Sequence, residues 1–391
     1  MSPAGEPGRR GPPAREASAP DGQDGARTKA AKGETKKKKK KGGGLLVGLL
    51  VSFFVLAALG AGAAAGGYYW LDHTLDAPGP TTDETVVAIA PGSGLNAIAA
   101  KLEAEGYVPA EYGRYIVRAG AVLEGAERSL KAGEYAVPAH ASVRDIIAIL
   151  SSGRVVEYPI TFAEGLTSKQ IVDIINAADV LTGEIAEVPR EGSLLPETYR
   201  VPRGMSRQAL LDRMAGAQAD LLDEVWPNRA EGLPYASVDE AIIAASIVEK
   251  ETGRADERGK VAAVVRNRLE RPMRLQMDST IIYGEWLEDQ SRPLNVEPLG
   301  PELDRPDNPY NTYEHDGLPP GPIANPGRDA IEATLNPEPT ADGERPILYF
   351  IASCEGEGRH NFASSLNQHE RYRAEWRRCR NALRAAANEA E

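Results

Sequence analysis

The sequence has few of the residues that build metal centres and nucleophilic catalytic sites. It contains two cysteines and five histidines in 391 residues. No C-x-x-C or H-E-x-x-H pattern is present, so the usual spacings of zinc ligands are missing. A G-x-S-x-G motif is also missing, which excludes a serine hydrolase built on that nucleophile elbow. We therefore expect no metal and no cofactor. Cys354 and Cys379 either pair outside the cytoplasm or remain two small thiols.

Positive charge is scarce beyond the first 44 residues. Residues 1–44 hold 12 Lys and Arg against 5 Asp and Glu, whereas the remainder holds 33 against 52. The acidic remainder lacks the basic face that binds phosphates, so we expect no nucleic-acid partner. The run Lys36–Lys41 borders an apolar segment, which makes anionic membrane lipid its expected neighbour. Residues 1–44 have almost no large apolar side chains and are expected to form a disordered, basic cytoplasmic tail.

Charge is absent altogether from residues 45–71. These 27 positions exceed the roughly 20 that a helix needs to cross the hydrocarbon layer. We predict one transmembrane helix over 45–71, with the lysine side in the cytoplasm and Tyr68, Tyr69 and Trp70 at the far interface. The alternative is a cleaved secretory signal, although the apolar run is longer than such signals usually are. Under either interpretation the main part of the chain lies outside the cytoplasm.

A short linker rich in Pro, Gly and Thr, residues 72–84, separates this segment from a small folded module. The pattern predicts a strand from Thr85, a helix ending at Gly106, a strand region ending near Val137 and a further helix before Gly153. We therefore predict a small α+β module over residues 85–154. A glycine-rich turn in it mimics a dinucleotide fingerprint, but no second buried strand follows, and ordinary turn chemistry explains the glycines better.

Residues 155–391 have the pattern of a mixed α/β domain. A strand, a turn at Gly165 and a helix capped by Thr167 or Ser168 come first. From Val238 onward the pattern is mostly helical. A long loop rich in Gly and Pro follows, then a helix, a strand and a charged final helix.

One carboxylate in this region, Glu251, lies on an apolar helical stripe. With 3.6 residues per turn, Ile243, Ile247 and Glu251 share one face of the run 241–253, which we expect to face the core. Glu249 lies about 200° away by the same period and is expected in solvent. A carboxyl among apolar side chains has a raised pKa and can act as a general acid near neutral pH. The alternative is a helix-end glutamate with its carboxylate in water.

The loop before residue 327 has features of a carbohydrate site. Its Gly and Pro residues favour an ordered irregular backbone, while Tyr310, Asn311 and Tyr313 offer stacking faces and hydrogen bonds. The alternative is an ordinary ordered surface loop.

Several separated blocks resemble the endolytic murein transglycosylase family (MltG-type, YceG-like). They are LKAGEY at 130–135, ITFAEGLTS at 160–168, LLPETY at 194–199, ASIVEKET at 245–252, MRLQMDST at 273–280, YNTY at 310–313, GLPPGPIANPG at 317–327 and LYFIA at 348–352. The departures are local: Ser279 stands where the family usually has proline, Met277 where it has a small or polar residue, and Cys354 where a cysteine is untypical.

The resemblance implies a single-pass protein of the bacterial inner membrane, with a LysM-like subdomain over 85–154 and a catalytic domain over 155–391. Such a protein cleaves nascent glycan strands between N-acetylmuramic acid and N-acetylglucosamine, leaves 1,6-anhydromuramic ends and so ends strand elongation. It implies Glu251 as the catalytic acid, the residue that the stripe indicates independently. By resemblance of motifs, the groups around the sugar are Gln276, Asp278, Tyr310, Asn311 and Tyr313.

Other functions stay open at this stage. A muramidase would use Glu251 with Asp278 and release reducing ends. Asp278 could instead cap the following helix or position the substrate, and we favour these roles over that of a base. A wall-binding anchor would leave Glu251 with a structural role. The expected partners are glycan strands and membrane lipid, and possible further partners are the peptidoglycan synthases.

Overall fold

A computed structural model of the chain describes residues 43–296, 298, 300–338, 345–354, 356 and 358–390. The predicted tail lies outside the described residues except for its last two positions. The chain divides into two compact units, residues 1–68 and residues 69–391.

The first unit contains most of helix α1 (Gly43–Leu75). The stretch Leu46–Leu75 is apolar and long enough to cross a membrane, and no other helix of the described residues meets both conditions. The predicted apolar span lies within this helix, which runs four residues beyond it, from 71 to 75. Leu71 and Leu75, already in the second unit, pack into the core of the first folded module. The helix continues past Leu71 because its last turn is part of that core.

That module consists of five elements around one hydrophobic core. They are β1 (Thr85–Ile89), α2 (Leu95–Ala104), α3 (Gly113–Leu123), β2 (Gly133–Val137) and α4 (Val143–Ser152). The two strands are antiparallel, with Val87 opposite Tyr135, and both side chains are fully buried. The predicted α+β character is confirmed, but the sequence pattern did not indicate α3. This helix contains Gly120, where a Cβ would lie 2.5 Å from the side chain of Leu75, so the glycine is required by packing.

A second core lies between an antiparallel strand pair and two helices. The elements are β3 (Glu157–Thr161), α5 (Ser168–Ala177), β4 (Thr198–Pro202) and α6 (Arg207–Val225). Thr167 is the N-cap of α5, as predicted, and forms a capping box with Gln170. A short 3-10 helix (Trp226–Asn228) follows α6. Residues 155–391 therefore contain two hydrophobic clusters, this one and the larger cluster that surrounds α7.

The larger cluster is mainly helical. Its elements are α7 (Val238–Glu251), α8 (Ala255–Leu269), α9 (Asp278–Glu288), α10 (Gly300–Leu303), α11 (Arg328–Leu335), β5 (Tyr349–Ala352), β6 (His360–Ala363) and α12 (Leu366–Ala390). Helix α7 is its centre, since all residues from Ala241 to Val248 are buried. The predicted stripe does face the core, but the helix is buried on its other faces as well. Among the described residues, every sheet consists of two antiparallel strands, which makes the fold α+β.

Candidate active site

Glu251 is the last residue of α7 and lies in a cleft. The helix ends because Thr252 adopts an extended conformation, with φ −150° and ψ 128°. The cleft has a volume of about 560 Å³. Its lining residues are Glu251, Arg268, Gln276, Met277, Asp278, Tyr313, Tyr349, Phe350, Ile351, Leu366, His369, Glu370, Arg373 and Trp376. Three of the five predicted sugar-binding residues thus share the cleft with Glu251: Gln276, Asp278 and Tyr313.

The carboxyl of Glu251 has one short hydrogen bond. Ser279 Oγ donates to Glu251 Oε1 at 2.6 Å. Ser279 is the second residue of α9, so the carboxyl lies at the N-terminus of that helix, where negative charge is favoured. Burial raises the pKa of Glu251, and the charge of Asp278 raises this pKa further, whereas the Ser279 hydrogen bond lowers it. The net shift is upward, so the carboxyl holds its proton at a higher pH than an ordinary glutamate does.

Asp278 is exposed in the cleft and is oriented by Tyr313. The hydroxyl of Tyr313 donates to Asp278 Oδ1 at 2.7 Å. Burial raises the pKa of Tyr313, so its hydroxyl stays protonated and remains a donor. The N-cap of α9 is Met277, and Asp278 is the first residue inside the helix. The capping role considered for Asp278 is therefore wrong. An N-cap residue lies just before the helix, and that position is occupied by Met277.

Gln276 is exposed in the cleft and has an unusual backbone conformation. Its φ is 50°, in the left-handed region that residues other than glycine seldom adopt. The backbone N–H of Gln276 donates to Thr312 O at 3.1 Å, and that of Met277 donates to Thr312 Oγ1 at 3.0 Å. These bonds hold the segment before α9 against the loop that carries Tyr313. Gln276, the residue with the strained backbone, therefore lines the same cleft as Glu251, the candidate general acid.

Arg268 is a buried cation at the cleft that the sequence reading missed. Its Nε donates to Leu348 O at 2.7 Å and its Nη1 to Leu275 O at 2.5 Å. It thereby joins the segment before α9 to the strand region of β5. A signal was present in the sequence, since Arg268 shares a helical stripe with Val261 and Val264, both fully buried. The same test that selected Glu251 would have selected this residue.

Tyr310 and Asn311 do not line the cleft. Asn311 is fully buried, and its amide nitrogen donates to Leu303 O at 3.0 Å and to Arg305 O at 3.1 Å. Its Oδ1 accepts the backbone N–H of Tyr313 at 3.0 Å. The ring of Tyr310 packs edge-on against Tyr283, with ring centroids 5.1 Å apart. Both residues hold the shape of the loop that presents Tyr313.

Glu249 was expected to lie in solvent. This prediction is wrong, because its side chain contacts a loop. Its Oε2 accepts the backbone N–H of Gly327 at 3.0 Å, and burial raises its pKa. The loop 317–327 covers this face of α7, and a second contact, from Ile323 N to Ser246 Oγ at 3.0 Å, holds it there. Helical period gives the direction of a side chain. Whether the Glu249 side chain meets water is decided by the packing of the distant loop 317–327 against α7.

The half-buried carboxyl of Glu191, which joins three segments, was also missed. Its Oε1 accepts the N–H of Ser168 at 2.8 Å and the amide of Asn325 at 2.9 Å, and its Oε2 accepts the hydroxyl of Tyr283 at 3.2 Å. Burial raises its pKa to about 7. These bonds join the start of α5, the loop 317–327 and α9. Glu191 does not line the cleft, and no sequence pattern distinguished it.

The residues that could hold a metal are not grouped. Among the described residues, no cluster of three His, Cys, Asp or Glu side chains is arranged to bind an ion. Cys354 and Cys379 are both free thiols in this structure.

Comparison with known proteins gives matches over most of the second unit. The model of the YceG-like family matches residues 87–375. An endolytic murein transglycosylase of Streptococcus pneumoniae (strain D39) is 29% identical over 358 residues, covering 78% of this chain and 61% of the relative. One from Bacillus subtilis (strain 168) is 32% identical over 251 residues, covering 64% and 62%. The chain thus spans less than two thirds of the length of these curated relatives. The crystal structure of a YceG-like protein from Listeria monocytogenes is 27% identical, covers 74% of this chain and 99% of that one, and has a TM-score of 0.43.

Proposed function

The chain belongs to the YceG-like family, and from this premise we propose that it is an endolytic murein transglycosylase, a lyase that cuts peptidoglycan glycan strands. The names of its relatives in S. pneumoniae and B. subtilis support this activity. The observation that carries the proposal is a single partly buried carboxyl of raised pKa, Glu251, held by Ser279 in a cleft. A general acid needs that combination of retained proton and fixed position.

In the proposed reaction, protonated Glu251 donates its proton to the glycosidic oxygen between N-acetylmuramic acid and N-acetylglucosamine. The bond from the muramic C1 to that oxygen breaks, and positive charge develops on the muramic ring. The C6 hydroxyl of the same ring then bonds to C1, and its proton passes to the Glu251 carboxylate. No water is consumed, and the product has a 1,6-anhydromuramic end. Because the nucleophile belongs to the same sugar, proximity provides much of the rate.

The neighbouring groups have positioning roles in this proposal. Gln276, Asp278 and Tyr313 share the cleft and offer an amide, a carboxylate and a ring to the sugar. Tyr310 and Asn311 act through the loop that presents Tyr313, rather than by contact with the sugar. The Ser279 hydroxyl fixes one oxygen of the acid, which leaves the other oxygen to face the substrate.

The same proposal includes the location of the protein and the role of its first folded module. The apolar helix provides the single-pass anchor over residues 45–71, with residues 1–44 in the cytoplasm and the catalytic part outside. The module of residues 85–154 acts as a LysM-like glycan-binding subdomain. Cleavage near the membrane would terminate nascent strands, which places the protein beside peptidoglycan synthases and anionic lipid.

A muramidase that uses Asp278 as its second carboxylate is the competing reaction. Asp278 does share the cleft, but its carboxylate already accepts the hydroxyl of Tyr313 at 2.7 Å. This engagement favours a positioning role over that of a base. A purely wall-binding anchor is less favoured, because a scaffold gains nothing from the cost of burying Glu251.

The ends of the products test the proposal. Un-crosslinked glycan strands are digested with the full-length protein in detergent, and the muramic termini are read by mass spectrometry. We expect termini one water lighter than a reducing sugar, and none with Glu251→Gln. Reducing termini would make the protein a hydrolase and assign the base role to Asp278. Binding without cleavage by the wild type would favour the anchor.

A further inference from the structure

We infer that the C-terminal helix α12 supplies a substrate subsite of the cleft, in which Trp376 packs against a sugar ring and Arg373 binds a carboxylate of a peptide stem. The inference rests on the proposed function, since it names which parts of a peptidoglycan strand this wall recognises. The sequence indicated only a charged final helix here, and none of its residues was expected at the site.

Five residues of α12 line the same cleft as Glu251. They are Leu366, His369, Glu370, Arg373 and Trp376. Spacings of three and four residues place them on one face of the helix. This face is therefore one wall of the cleft, and Glu251, Asp278 and Gln276 belong to other elements that line the same space. A substrate that reaches Glu251 enters a space that α12 bounds.

The wall is held in place by contacts with the strand pair β5–β6. The rings of Tyr349 and His369 are stacked, with centroids 5.1 Å apart. The thiol of Cys354, just after β5, donates to Glu375 O at 3.7 Å. Tyr349 also packs against the Arg268 guanidinium, at 5.4 Å from its ring centroid, and so connects α12 to the centre of the site. These contacts fix α12 as a preformed wall, which is the usual state of a ligand cleft.

Trp376 has the chemistry to pack against a sugar. Its side chain is half-buried at the cleft, and the guanidinium of Arg380 lies 4.2 Å from its ring centroid. Arg380 covers one face of the indole, so the sugar would pack on the opposite face. That apolar face with its polar edge suits a ring whose faces are C–H groups and whose rim is hydroxyl and amide. A glycan strand presents such rings in series, so one sugar of the strand can pack against Trp376 while another reaches Glu251.

Arg373 has the chemistry to bind an anionic peptide stem. Its side chain is 51% exposed, and its Nη1 lies 3.2 Å from Glu370 Oε1. An exposed ion pair of this kind contributes little stability, so an incoming carboxylate can compete for the guanidinium. The planar group binds a carboxylate through two parallel N–H bonds, which also sets orientation. Stem peptides carry carboxylates on every second sugar of the strand, and the cleft contains no other arginine side chain exposed to this degree.

Binding to the full-length protein in detergent tests the inference without dependence on turnover. Every variant is made on the Glu251→Gln background. The ligands are un-crosslinked strands with stems and the same strands after enzymatic removal of the stems. Matched controls are Arg371→Ala, an exposed arginine of α12 away from the cleft, and Trp226→Ala, a half-buried tryptophan stacked on Arg229 outside the cleft.

We expect Arg373→Ala to weaken binding of stem-bearing strands about five- to tenfold and to leave stem-free strands within about twofold, as loss of one charge-assisted contact predicts. Trp376→Ala should weaken both ligands about tenfold, and Trp376→Phe should restore most of the loss, because an aromatic face is what the sugar requires. Dissociation constants equal to those of the two controls would overturn the inference. A wild type that yields no anhydromuramic ends while these binding losses persist would instead contradict the proposed reaction and leave the subsite standing.

Discussion

The hydroxyl of Ser279 donates a hydrogen bond of 2.6 Å to Oε1 of Glu251, although the two residues belong to different helices. Glu251 ends α7, and Ser279 lies in the first turn of α9. Burial favours the protonated carboxyl, and the serine favours the carboxylate, so the proton affinity of the acid is a balance of the two. This pair links the packing of the helices to the proposed chemistry.

Replacement of Glu251 by glutamine should abolish cleavage and leave the fold intact. Gln keeps the size of the side chain and can still accept from Ser279, but it carries no transferable proton. We expect kcat to fall by about 10³-fold or more, as for loss of an essential general acid. Product release from glycan strands gives the rate, and the thermal unfolding midpoint reports the fold. A rate within tenfold of the wild type would remove Glu251 from the mechanism.

Replacement of Ser279 by alanine should shift the pH profile. The lost hydrogen bond had stabilised the carboxylate, so the pKa of Glu251 rises further, and the alkaline limb of kcat/KM moves to higher pH. We expect kcat to fall as well, because the carboxyl loses its anchor. Ser279→Thr keeps the hydroxyl and should keep the wild-type limb. An alkaline limb that stays in place in Ser279→Ala would show that the serine does not tune the acid.

Glu249 is a useful counterpart because it lies two residues from Glu251 and is also partly buried. In Glu249→Gln the side-chain oxygen can still accept the N–H of Gly327, so we expect kcat/KM within about threefold of the wild type. Glu249→Ala leaves that N–H without its partner and should destabilise the loop 317–327 by about 1–3 kcal/mol. Denaturant unfolding of both variants checks the difference. A complete loss of activity in Glu249→Gln would assign it a catalytic role.

Glu191 should make stability fall as pH rises from about 4.5 to about 7. Its folded-state pKa is about 7, above the ordinary value of 4.5. The contribution of Glu191 to the free energy of unfolding is therefore fully present below about pH 4.5. It is lost as pH rises to about 7, because in this range the unfolded state releases the proton more readily than the folded state does. A shift of this size corresponds to roughly 3 kcal/mol. Glu191→Gln keeps an oxygen for Ser168 and Asn325 and removes the titration.

The difference between wild type and Glu191→Gln isolates this carboxyl from the other groups that titrate. We expect the free energies of unfolding of the two proteins to be closest near pH 4.5 and the variant to be the more stable at pH 8, measured by denaturant titration at fixed ionic strength. A constant difference across this range would mean that folding does not raise the pKa of Glu191.

Local patterns in the sequence were sufficient for the elements that depend on neighbouring residues. The uncharged run of residues 45–71 located the apolar N-terminal helix, and hydrophobic period located α7. Turn chemistry placed the N-cap of α5 at Thr167 or Ser168, and the structure has it at Thr167. The stripe on α7 also selected Glu251. The missed elements include α3, where Gly120 resembles a helix breaker although a Cβ there would lie 2.5 Å from the side chain of Leu75. The strands β4 and β6 were also not predicted.

The environment of each site residue was decided by contacts between distant segments. Ser279 meets Glu251 across 28 positions, and Gly327 covers Glu249 across 78. The period of a helix fixes where a side chain points, and together with the family resemblance it selected Glu251 as the candidate acid. Which partner, loop or wall it meets depends on how separately formed elements pack, and helix α12 joined the cleft only through that packing. The sequence by itself therefore determined the long apolar helix, most of the other elements and the candidate acid, while tertiary structure decided the hydrogen bond to Glu251, the burial of Glu249 and Glu191, and the second wall of the cleft.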